Sequence, residues 1–145
     1  MREEGGCYKR FKKMNKKVRI QYFKRNQKLN SLGYKDYRDY LSSEDWRKIK
    51  EKWEKKKLSN FPHWGRCRIC HDTNGLVLHH LKYGKVEKIS FTHFMPACRR
   101  CHEEIHRIAH SDTFSGSIKH ATRKWAKEFL GKGVKVSRNI IKITK

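Results

Sequence analysis

The chain has 145 residues, with 37 Lys or Arg against 14 Asp or Glu, a formal net charge of +23 and a hydrophobic fraction of 36%. That length fits one domain with extensions, and so little apolar material makes a thin core that calls for a metal or a partner. The charge excess repels itself and points to a polyanion, with anionic membrane second; no run of 18 apolar residues exists to span a bilayer, and no hydrophobic leader core suggests export, so a cytoplasmic location is expected.

Residues 9–28 hold ten Lys or Arg and no acid. Phe11, Met14, Val18, Tyr22 and Leu29 recur at helical steps, which predicts a basic amphipathic helix ending near Asn30–Gly33. Such a helix is either a solvated face or a phosphate-tracking arm. The total charge favours the arm, with Lys12, Lys13, Lys16, Lys17, Arg19, Lys24 and Arg25 as contacts, ordered on nucleic acid. Residues 34–41 read as an aromatic connector. Ser42 or Ser43 then caps a helix to about Leu58, with Asp45 in a capping-box position and Trp46, Ile49 and Trp53 on a core face. Asn60-Phe61-Pro62 breaks it.

Cys67, Cys70, Cys98 and Cys101 form two Cys-x-x-Cys pairs, while Cys7 stands outside them. An odd count without an export signal reads as zinc binding rather than a disulfide framework. The interval from Cys70 to Cys98 leaves room for a hairpin, and the second pair opens a helix to about Ala109. Knuckle, hairpin and knuckle at a helix start describe a treble-clef-like α+β core. His71 is a competing ligand that a four-thiolate shell does not need.

Residues 76–81 read as a strand carrying adjacent His79 and His80. His102 and His106, at i and i+4, share one helix face in metal-ligand spacing. After a polar link, residues 117–130 are predicted helical, with Ile118, Ala121, Trp125 and Phe129 on one face and Gly131 as C-cap. Residues 134–143 have a β-like, basic composition. The chain divides into a basic helical arm (1–33), a zinc-stapled core with its lead-in helix (34–110) and a C-terminal helix and tail (111–145).

The run Cys67-x-x-Cys70, His79-His80-x-x-Tyr83, Pro96-Ala-Cys98-x-x-Cys101-His102-x-x-Ile105-His106 resembles the zinc-containing HNH (ββα-metal) endonucleases. Tyr37-x-x-Tyr40-Leu41-x-Ser43-x-x-Trp46 is similar to the lead-in helix of small phage and bacterial members, and Tyr83-Gly-x-x-Glu87 to the family loop. The likeness spans residues 37–106. It implies a ββα-metal core stapled by structural Zn²⁺ at the four cysteines. It implies His80 as general base, and His79, His102 and His106 as ligands of a catalytic divalent cation. Where the family carries its middle Asn, this chain has His93, which would help orient the base.

The implied reaction is hydrolysis of a DNA phosphodiester, as a nick with a 5′-phosphate product; RNA is a further possible substrate. Arg99 and Arg100 add cations beside the second knuckle. An all-histidine site favours a borderline transition metal, so Mn²⁺, Ni²⁺ and Zn²⁺ are candidates beside Mg²⁺, which prefers oxygen ligands. The alternative is a non-catalytic zinc-dependent DNA- or RNA-binding module on the same fold. A packaging accessory is a more distant third.

Overall fold

A computed structural model describes residues 15–58, 64–82 and 91–131. Lys12, Lys13, Cys7, the Tyr83–Glu87 loop and the β-like tail fall outside these residues.

Helix α1, Lys16–Ser31, starts at Asn15, whose side chain accepts from the Val18 N–H. It ends in a turn where Gly33 takes φ +91°, the left-handed conformation glycine tolerates best. Its buried residues are Val18, Tyr22, Arg25 and Leu29. The expected aromatic connector contains a short helix, α2, Tyr37–Leu41, capped by Asp36. Helix α3, Glu44–Leu58, is capped by Ser43, whose hydroxyl takes the Trp46 N–H. Ser42 instead bonds back to the Arg38 carbonyl, and Asp45 accepts from the Tyr34 hydroxyl. The capping box expected between Ser42 and Asp45 therefore does not form.

Strands β1, Leu76–His80, and β2, Phe94–Cys98, pair antiparallel in a two-stranded sheet. A 3₁₀ turn, Phe91–His93, leads into β2. Helix α4, Arg99–Ala109, follows directly with Cys98 as its N-cap. Helix α5, Ile118–Leu130, opens with a capping box between Ser117 and His120. The fold is α+β, and no helix among the described residues is long and apolar enough to cross a membrane.

A lone two-stranded ribbon is unstable in water, so both faces need cover. The register sets Leu78 opposite Pro96 and His80 opposite Phe94, and on the other face Val77 opposite Ala97 and His79 opposite Met95. Leu78 and Phe94 pack with Tyr40, Trp46, Ile49 and Trp53 of α2 and α3. Met95 and Ala97 pack with Ile105 and Ile108 of α4 and Ile118 and Ala121 of α5. The two α3 tryptophans are thus core, as expected.

Helix α1 lies on this second layer and is no detached arm. Val18 and Tyr22 belong to its core, Asn15 donates to the Ala109 carbonyl, and Gln21 accepts from the Ile118 N–H. The predicted core face of α5 is rotated slightly: Ile118, Ala121, Thr122 and Ala126 are buried, whereas Phe129 is exposed.

Candidate metal centres and the histidine site

Two groups among the described residues bring metal-ligating atoms together. Within each, every ligating atom lies within 4.8 Å of the others. The first is Cys67, Cys70, Cys98 and Cys101; the second is His79, His102 and His106.

The thiols are assembled by backbone geometry. The Cys67 N–H bonds the Asp72 carbonyl, and the His71 N–H returns to the Cys67 carbonyl, closing a knuckle. His71 reverses the chain with φ +63°, stays exposed and is outside the cluster. The Arg68 N–H reaches the Pro96 carbonyl and the Arg99 N–H reaches that of Gly75, tying both knuckles to the hairpin. The thiols are free, with the Cys70 and Cys98 sulfurs 3.5 Å apart. Four sulfurs about 2.3 Å from a tetrahedral zinc would stand about 3.8 Å apart, so the cluster fits such an ion.

Charge leads to the same conclusion. The hydrogen bond from Cys101 pulls the Cys67 thiol down to about 4, with backbone N–H groups assisting. Cys101 is raised by that same bond and by burial, and burial pushes Cys70 up to about 11. A cation among the four sulfurs would favour their thiolate forms together.

The histidine trio is built across two elements. β1 supplies His79, and α4 supplies His102 and His106 one turn apart, their rings 4.6 Å between centroids. The His79 ring meets them nearly edge-on at 5.2 and 5.6 Å. His79 is fully buried. Its Nε2 lies 3.0 Å from the Thr122 hydroxyl, while its Nδ1 has no hydrogen-bond partner. A buried nitrogen without a partner is costly unless something fills its lone pair, and a metal ion would. Tyr22 of α1 approaches the trio from outside. Its hydroxyl lies 3.4 Å from His106 Nδ1 and 3.0 Å from His110 Nε2.

His80 points to the opposite face of the sheet, as strand alternation requires. Its ring stacks on Trp46 at 5.4 Å and meets Phe94 at 4.7 Å. The Tyr37 hydroxyl lies 3.2 Å from its Nδ1. Burial and then the Arg25 charge push His80 down to about 3, with His102 and His106 adding to the effect. Burial is also the main cause of the low value of His106, about 3, and of the depressed His79 and His102. All four imidazoles are neutral at pH 7.

His93 closes the sheet end through its backbone, its carbonyl accepting from the Leu81 N–H at 2.7 Å. Lys16, Lys17, Arg19 and Lys24 are exposed on α1, and Arg99 and Arg100 are exposed at the start of α4. Arg25 differs from the other arm cations: it is 9% exposed, with its guanidinium 4.7 Å from the Tyr22 ring centroid and 3.9 Å from that of Tyr37. The sequence held a signal for this, because Arg25 falls on the buried stripe between Tyr22 and Leu29. Tyr22, Tyr37 and Thr122 are further neighbours of the histidines that spacing alone had not singled out.

Comparison with protein-family models, with curated proteins and with solved structures finds no match.

Proposed function

We propose that this protein is a metal-dependent HNH-type endonuclease that hydrolyses DNA phosphodiester bonds by nicking, on a ββα-metal core stapled by structural zinc at Cys67, Cys70, Cys98 and Cys101. The observation that carries the reading is the His79, His102 and His106 trio able to hold a metal, with His80 next in the chain in an aromatic pocket with a hydroxyl at its Nδ1.

His79, His102 and His106 would hold a divalent cation, which supplies Lewis-acid charge for the oxygens that become anionic as the phosphodiester is attacked. His80 is neutral at pH 7 and takes a proton from water as the oxygen attacks phosphorus and the 3′ oxygen leaves. This role requires the tautomer in which Nδ1–H donates to the Tyr37 oxygen and Nε2 keeps the lone pair for that proton. A phosphodiester anion bound nearby opposes the Arg25 charge and so raises the proton affinity of His80. Trp46 and Phe94 hold the ring in place. His93 anchors the turn that ends beside His80 through its bond to Leu81. Lys16, Lys17, Arg19, Lys24, Arg99 and Arg100 offer exposed cations to the phosphate backbone.

The test of His80 compares wild type with His80→Ala on supercoiled plasmid. The expected variant binds DNA as wild type does and nicks it at least a hundredfold more slowly, about the contribution of a positioned base. Equal nicking by the variant would move the base to another residue.

A further inference from the structure

We infer that Thr122, on α5 and outside the histidine motifs, is a positioning residue that fixes the tautomer of His79 and leaves Nδ1 of that ring as its metal donor. This rests on the metal-holding part of the proposed function and not on DNA cleavage.

The argument is an accounting of protons. Thr122 is 1% exposed, and its Oγ1 lies 2.9 Å from the Ile118 carbonyl oxygen. Two buried oxygens so close need a hydrogen between them, and a carbonyl has none to give. The single hydroxyl proton of Thr122 is therefore spent on Ile118. His79 Nε2 is 3.0 Å from the same Oγ1, so the proton in that second bond comes from the imidazole. Nε2 thus carries hydrogen, and Nδ1 keeps a bare lone pair. That Nδ1 is buried and has no hydrogen-bond partner, on a ring set edge-on to His102 and His106. A hydrogen bond on the non-ligating nitrogen sets both the tautomer and the ring orientation of a metal-bound histidine. Helix α5 is accordingly part of the metal centre.

Two measurements test this on the full chain carrying one equivalent of zinc. Long-range ¹H–¹⁵N correlation spectra of the imidazoles should show His79 as the Nε2–H tautomer; an Nδ1–H signal would overturn the assignment. Titration with Ni²⁺ should then show a second ion bound by wild type and bound 10–100-fold more weakly by Thr122→Val. Thr122→Ser, which keeps the oxygen, should bind as wild type does. Far-UV circular dichroism establishes that both variants are folded, and the wild-type tautomer decides the matter if Thr122→Val is not. Equal Ni²⁺ affinity in folded Thr122→Val, or failure of Thr122→Ser to rescue, overturns the role of Thr122 alone. Absence of a second ion in wild type overturns the metal reading of the trio, and this inference with it.

Discussion

The hydroxyl of Tyr37 lies 3.2 Å from Nδ1 of His80. It comes from a five-residue helix 43 positions earlier in the chain, so the lead-in segment helps to build the pocket of the proposed base. Removing that hydroxyl with Tyr37→Phe keeps the ring and its packing. The expected result is nicking slowed about tenfold, the equivalent of one hydrogen bond of about 1.4 kcal/mol, with Ni²⁺ binding unchanged. Single-turnover nicking rates and a parallel Ni²⁺ titration separate the two effects.

Arg25 and Lys24 are neighbours in sequence with opposite surroundings. Arg25→Ala removes a guanidinium stacked between Tyr22 and Tyr37, and is expected to cost about 1–3 kcal/mol in denaturant unfolding. Arg25→Lys restores little, because an ammonium cannot stack as a plane. Lys24→Ala should leave stability unchanged and weaken DNA binding. Its log K against log salt should be shallower by about 0.9 if that lysine neutralises one phosphate.

The two metal groups should respond differently to mutation. Cys98→Ser removes a sulfur ligand while leaving α4 a capping hydroxyl, and the expected outcome is loss of cooperative unfolding along with one equivalent of zinc. His106→Ala should lose the second ion yet keep a cooperative transition. Metal content by mass spectrometry and thermal unfolding by circular dichroism read both. A native, metal-free Cys98→Ser would contradict the staple.

Acid should destabilise the protein through its histidines. Burial holds His80 and His106 at about 3 in the folded chain, well below the ordinary imidazole value of 6.5. Between those values the unfolded chain binds more protons, so stability is full above about 6.5 and falls as pH drops towards 3. His80→Phe removes one of these groups. It should reduce the slope of unfolding free energy against pH in that window by up to one proton, about 1.4 kcal/mol per pH unit. An unchanged slope would mean that His80 is not held neutral by its pocket.

Much of this site was legible as spacing. Paired Cys-x-x-Cys motifs, adjacent strand histidines and an i, i+4 helical pair are local patterns, and the structure gathers them into two clusters able to hold metal. The surroundings were legible only in part, because they depend on tertiary packing. Arg25 carries a charge on an apolar stripe, and the expectation of a phosphate-tracking residue followed its charge and not its position. Thr122 looks like any polar residue in a helix until α5 is laid against β1. The strand phase that separates His79 from His80 was readable from their adjacency, and the regular register of β1 with β2 sets the two rings on opposite faces.

The most direct measurement is conversion of supercoiled plasmid to open circles by the wild-type chain with Mg²⁺, Mn²⁺, Ni²⁺ or Zn²⁺ supplied in turn. The proposed function predicts nicked circles with at least one of these metals, 5′-phosphate ends, and no cutting in chelator. Plasmid that is bound but left intact under every metal would contradict it, and would leave the protein as a metal-holding nucleic-acid-binding module.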